Sequence, residues 1–239
     1  MRVWDIHPGY LSRQNLFGQH AEIHALANII GGEKKGYAAH PETRRWKGKL
    51  NCLKRRHDLN VLEIKLRSYN HASPLAACRD NDPAPALVYV DTPVEQINIL
   101  KQKYRERNRA GRIPLPKNAF EFWAHHKYSV MARGYNHYKD IQAHLRLKER
   151  CPLEEEGHLI GQILEIMGKP VFVPALTNVV DHLWGYFKKE ASEAEKETYL
   201  KLKSEQLPAL VPFIYGLARK YNCSYLLHST IFADFTDQY

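Results

Sequence analysis

The residues best placed to do chemistry lie in the first 26 positions, MRVWDIHPGYLSRQNLFGQHAEIHAL. The chain opens with the α-amine of Met1 and carries a carboxylate, Glu22, one short segment downstream. An α-amine titrates at about pH 8, well below a lysine, so a useful fraction is neutral and nucleophilic at neutral pH. An amine brought next to a carboxylate can work on a sugar carbon. The amine attacks C1′ of a nucleotide and expels the base as a Schiff base forms, while the acid shuttles protons. Met1 precedes the large Arg2, so Met1 is expected to be retained and its own amine to be the nucleophile. Met1 and Glu22 are the candidate catalytic pair.

The elements that must position this pair read as helices. From about Ser12 the apolar residues Leu16, Ile23, Leu26, Ala27 and Ile30 share one face, and Gly31-Gly32 ends the run. Asn15, Gly18, Glu22 and Ala25 form a second stripe beside it. Apart from Glu22 that stripe is small or uncharged, which leaves either a groove for a ligand or a tight helix contact. His20 and His24 also share a face, as metal-binding histidines often do. Glu22 points elsewhere, so this is not the H-E-x-x-H arrangement, and no third ligand is identifiable. A polar, ring-lined patch is favoured over a metal site, and neither metal nor cofactor is expected.

Residues 34–49, KKGYAAHPETRRWKGK, interleave cations with rings. Tyr37, His40, Arg44, Arg45, Trp46 and Lys47 suit phosphate contact and base stacking, or else form the start of a helix with a solvated basic face. A second helix is expected from Pro41 or Glu42 to about Arg67, with Trp46, Leu50, Leu53, His57, Val61 and Ile64 facing the core. The stretch 78–93 is proline-rich and irregular. A helix opens at Pro93, and its end carries Lys101, Lys103, Arg105, Arg107 and Arg109, followed by Arg112. These cations either complement the helix dipole or form a phosphate-binding strip.

The segment GRIPLPK, 111–117, is the expected boundary, because its two prolines favour an extended connector. Beyond it, helices are expected over 118–150, 154–167, from 173 or 176 to 189, over 192–206 with Ser192 and Glu195 as a capping box, and over 208–220 and 225–235. No strand pattern competes. The expected fold is all-α, with helical domains at 1–112 and 117–239. His125, His126, Lys127 and Tyr128, and Asn178, His182 and Tyr186, are polar groups that serve helix packing or a site equally well.

Composition bounds the partners. A formal charge of +9 and a pI of about 9.3 suit a polyanion. Cys52, Cys78, Cys151 and Cys223 lie far apart, without a C-x-x-C pair, and are expected as free thiols in a reducing compartment. Neither a signal peptide nor a membrane span is expected, which points to a cytoplasmic protein.

The run RVWDIHPGYLSRQNLFGQHAEI resembles the pyrimidine-dimer DNA glycosylases of the endonuclease V type, and aligns with them without a gap. A second patch, KLNCLKRRHDLNVLEIKLRSYN, resembles a later helix of that family. The resemblance covers much of residues 1–75. It implies a helical fold, an N-terminal amine nucleophile at Met1 and an essential acid at Glu22. It also implies extrusion of a nucleotide from the duplex. Arg2 and Gln14 fall on family positions and would hold backbone or base, with Arg13, Asn15, His20 and His24 beside them. Where the family has a small first residue, this chain has Met1. Ala21 and Ala25 replace two DNA-gripping arginines, and Asn15 replaces a histidine. Arg44, Arg45 and Lys47 are the expected substitutes for the lost cations. Residues from about 118 to 235 are similar to a bacterial domain of unknown function that is often fused to thiouracil-desulfidase-like domains. The motifs FWAHHKYSVMARGYNHY, TNVVDHLWGYFKKEASEAEK and LVPFIYGLARKY carry that likeness.

These readings converge on a DNA glycosylase with AP-lyase activity, acting on a damaged or modified pyrimidine in duplex DNA. The alternative is an RNA-directed enzyme of modified bases, or a non-catalytic tRNA-binding module.

Overall fold

The computed structural model describes residues 1–32, 36–76, 88–146 and 151–235. Cys78 and the proline-rich 77–87 lie outside the described residues. Among those described there are eleven α-helices and five short 3-10 helices, and no strand or sheet. The all-α expectation holds. The chain divides into two compact units, Met1–Gly111 and Arg112–Tyr239.

In the first unit an extended N-terminal segment and a 3-10 turn, Pro8–Tyr10, lead into α1 (Arg13–Ile30), α2 (Pro41–Trp46), α3 (Leu50–Leu66) and α4 (Pro93–Arg107). Ser12 caps α1, its hydroxyl accepting from the Asn15 amide at 3.3 Å, and Thr92 with Glu95 forms a full capping box on α4. The single helix expected from 41 to 67 is two helices. Lys47 turns extended and Gly48 takes φ +75°, a left-handed conformation that glycine adopts without penalty. The break turns α2 back across the N-terminal segment. Helix α1 packs on α3, and Val3, Ile23, Leu26 and Leu53 form a buried cluster with Met1, Trp46, Leu50 and Leu75 against it.

The second unit is a helical array of α5 (Ala119–Met131), α6 (Tyr135–Arg146), α7 (Gly157–Met167), α8 (Leu176–Trp184), α9 (Glu193–Glu205), α10 (Leu210–Lys220) and α11 (Ser224–Leu227), closed by a 3-10 turn at Thr230–Phe235. Helix α5 packs against α6, α7, α8 and that last turn, burying Phe122, Trp123, Val130 and Met131. The helix expected across 118–150 is interrupted at Arg133-Gly134. The Arg133 guanidinium leaves the helix face to bind the Ser129 and Lys169 carbonyls and the Asp234 carboxylate, so tertiary partners fix the break. Ser192 and Glu195 form the expected capping box. His126 lies stacked on Phe122 and its Nδ1 meets the Phe122 carbonyl at 2.7 Å; burial pulls its pKa down to about 3, so it is a neutral core residue.

Cys52, Cys151 and Cys223 are free thiols, and only Cys52 is buried. No helix among the described residues is long and apolar enough to cross a membrane.

Candidate active site

Residues 2–6 belong to no helix or strand, yet Val3, Trp4, Asp5 and Ile6 are buried. Buried amides and carbonyls require partners, and here side chains supply them. The Val3 amide donates to Glu42 Oε1 at 3.1 Å, the Trp4 amide to Gln19 Oε1 at 2.8 Å and the Asp5 amide to Gln96 Oε1 at 2.7 Å. In return Arg45 Nη2 donates to the Val3 carbonyl at 2.9 Å, and Arg56 donates to the carbonyls of Asp5 and Ile6. Three helices and α4 thus hold the segment as neighbouring strands would hold a strand. The Asp5 carboxylate completes the lattice, accepting from Arg45 Nη1 at 2.9 Å and Gln96 Nε2 at 2.7 Å.

This clamp brings the start of the chain to α1. The Met1 side chain packs on the Val3–Leu53 cluster and is only 7% exposed. Its thioether also accepts weakly from Thr43 Oγ1 at 3.8 Å. The terminal nitrogen lies 3.9 Å from Glu22 Oε1. That separation is too long for a direct hydrogen bond and falls within ion-pair range. The large first residue is therefore an anchor: the thioether is sunk in the core and the amine is left facing the carboxylate.

An open pocket of about 400 Å³ surrounds the pair, lined by Met1, Arg2, Trp4, Gln14, Asn15, Gly18, Gln19, Glu22 and Lys103. Its size falls within the range of small-molecule sites. The Arg2 guanidinium lies 5.0 Å from the Trp4 ring centroid, and the Lys103 ammonium lies 5.6 Å from the same ring. Arg2 also pairs with Asp91 at 2.7 Å. Burial, then the charges of Arg2 and Arg107, lowers the Lys103 pKa. Glu22 is the one carboxylate in that lining, beside the cations of Arg2 and Lys103.

Met1, Arg2, Gln14, Asn15 and Glu22 meet at this pocket. Arg13 lies beside it in sequence but over the rings of Phe17 and Tyr69, at 5.5 and 5.6 Å. The basic-aromatic cluster divides. Arg44, Lys47 and Tyr37 are exposed, whereas His40 caps α2 by accepting from the Glu42 amide. Arg45 and Trp46 are engaged within the fold: Arg45 pairs with Asp5 and Glu42 with its side chain 6% exposed, and the Trp46 indole donates to Glu42. The cations that line the pocket with Met1 are Arg2 and Lys103. His20 and His24 face away from the pocket lining, into a cluster with His57 and His71.

Trp4, Gln19 and Lys103 are the pocket residues that sequence reasoning did not assign to the site. Lys103 was visible only as one cation of the basic strip ending α4. Gln19 sits on the core side of α1, where a lone glutamine carries no signal until its partner, a strandless amide, is known.

No curated protein and no solved structure matches the chain. Residues 1–77, the segment that supplies Met1, Glu22 and every pocket residue but Lys103, match the family model of pyrimidine dimer DNA glycosylase, and residues 127–236 match that of a protein of unknown function (DUF1722).

Proposed function

We propose that the N-terminal unit is a DNA glycosylase with AP-lyase activity that removes a damaged or modified pyrimidine through the α-amine of Met1. The observation that carries this reading is the 3.9 Å approach of that amine to Glu22 in an open pocket that Arg2 and Lys103 also line. The target nucleotide leaves the base stack and its sugar enters the pocket beside Gly18. The neutral amine attacks C1′, the glycosidic bond breaks, and the base departs with its electron pair and takes a proton. Loss of the amine proton and opening of the sugar ring, with protonation of O4′, give an imine between Met1 and C1′. The Glu22 carboxylate offsets the positive charge that develops on sugar and iminium. It then assists removal of a C2′ proton, and the C3′–O3′ bond breaks by β-elimination. Water hydrolyses the imine and frees the amine. Arg2 and Lys103 hold the flanking phosphates, and Trp4 offers a ring face.

No cofactor takes part in these steps. The test is a panel of duplex oligonucleotides, each bearing one altered pyrimidine or an abasic site, assayed for strand nicking by the untagged protein and by Glu22→Gln. The proposal expects nicking of at least one duplex and of the abasic one. Nicking should be lost in the variant while salt-sensitive binding remains. Wild-type activity that Glu22→Gln retains in full would overturn it.

A further inference from the structure

His20 and His24 are joined by two imidazoles that lie far away in the sequence. His57 comes from the middle of α3 and His71 from the segment that follows it. His20 Nε2 lies 2.9 Å from His71 Nε2 and 3.2 Å from His57 Nε2, and the ligand atoms of His20, His24 and His57 all lie within 4.8 Å of one another. A ring nitrogen has either one lone pair or one hydrogen. A single His20 Nε2 therefore cannot serve two neighbouring ring nitrogens well by hydrogen bonding, because no proton arrangement gives both contacts a straight donor-acceptor line. A cation at the point of convergence would serve all of them at once.

We propose that His20, His24 and His57, with His71 as fourth donor, form a zinc site that ties α1 to α3 and to the segment after it. Zinc bonds imidazole nitrogen at about 2.0–2.1 Å in a tetrahedron, which sets its ligand atoms about 3.3–3.4 Å apart. The His20–His57 separation is already near that value, the His24 ligand atom lies within 4.8 Å of both, and His71 Nε2 lies 2.9 Å from His20 Nε2. His57 is buried, and its Nδ1 faces Asp58 Oδ1 at 3.1 Å. This is the carboxylate–histidine relay that fixes the tautomer and turns Nε2 toward a metal. His24 Nε2 faces the Ser73 carbonyl at 3.1 Å and would exchange that contact for the ion. Burial and the neighbouring imidazoles hold His20 at a pKa of about 4, and His24 and His71 are lowered as well. These rings are thus neutral near pH 7, as ligation requires. An all-imidazole donor set suits zinc, copper or nickel and excludes the oxygen-seeking calcium and magnesium. None of the four lines the Met1–Glu22 pocket, so the ion would be structural, fixing the helix that carries Glu22.

The test uses the full-length protein without a histidine tag, stripped by chelator and desalted. Calorimetric titration with Zn²⁺ should give one equivalent per chain and a higher melting temperature. Co²⁺ in its place should give the intense visible absorption of a four-coordinate ion. A His24→Gln/His71→Gln variant, changed only at partly exposed rings, should lose at least tenfold in zinc affinity, and Asp58→Asn about 10- to 100-fold. His158→Gln, at an exposed position in the second unit, should bind as wild type. Absence of a stoichiometric zinc isotherm, or affinity unchanged in the double variant, would overturn the site.

Discussion

Gln19 is where the fold and the proposed chemistry meet, and Gln19→Met tests their connection. The methionine keeps length and volume but removes both polar ends. Two groups lose their partners: the Trp4 amide, which donates to Gln19 Oε1 at 2.8 Å, and Asn60 Oδ1, which accepts from Gln19 Nε2 at 2.8 Å. Each orphaned buried group costs about 1–3 kcal/mol. Part of that is offset by the more apolar side chain, so the net loss is about 3 kcal/mol. At about 4 °C per kcal/mol for a unit of this size, the melting point falls by about 12 °C. The same change frees the third residue after the amine. A displacement of roughly 1 Å at a reacting atom costs about 100-fold in rate. The assay is borohydride trapping on abasic duplex, well below the melting point of each variant. The comparison is Asn60→Leu, which orphans Gln19 Nε2, removes the extra bond to the helical Leu16 carbonyl and leaves the Trp4 amide bonded. Asn60→Leu should melt early yet trap at close to the wild-type rate, whereas Gln19→Met should lose at least tenfold. Equal trapping losses in the two variants, or a Gln19→Met protein as stable as wild type, would refute the clamp.

Other consequences follow from the same geometry. Glu22→Gln, at a side chain 35% exposed, should leave the melting temperature nearly unchanged and cut nicking by about 100-fold or more; a loss below threefold would remove Glu22 from the chemistry. Gly111→Ala should destabilise the first unit by about 1–3 kcal/mol, because an added Cβ would sit 2.4 Å from the Tyr10 carbonyl oxygen. A urea midpoint within experimental error of wild type would contradict that close approach. The metal-free protein should weaken on acidification. His20 titrates at about 4 in the fold against 6.5 in the free residue, so between those values the unfolded chain binds more protons and stability falls as pH drops. His125, at about 4, and His126, at about 3, act in the same direction. A urea midpoint that is flat from pH 7 to pH 5 would show that these imidazoles are not held neutral.

What was legible in the sequence was what depends on local periodicity and capping. Ser12 and Gly31 bound α1, Pro93 opens α4 and Ser192 with Glu195 starts α9, because each signal acts within one helical turn. Breaks set by tertiary partners were not legible. The Arg133 guanidinium is held by Asp234, far along the chain, and α2 meets the N-terminal segment through Glu42 and Arg45, contacts that no local pattern marks. The pairing of Met1 with Glu22 was readable as a possibility; the machinery holding it was not, since Glu42, Gln19 and Gln96 look like ordinary helix polar residues. Arg45 and Trp46 read as a nucleic-acid surface for the same reason. Their composition suits one, and only the fold reveals the bonds they make to Asp5 and Glu42. The histidine cluster was half visible: the spacing of His20 and His24 marks one face of α1, but the fold alone brings His57 and His71 to it.

Two amines line the pocket, the terminus of Met1 and the ammonium of Lys103, and the account requires the first to form the covalent bond. The most direct measurement is to trap untagged protein on abasic duplex with borohydride, digest the adduct and locate the sugar remnant by mass spectrometry. The remnant should sit on the amine of the Met1 peptide, with no adduct once that amine is acetylated. A remnant on Lys103, or undiminished trapping by the blocked protein, would contradict it.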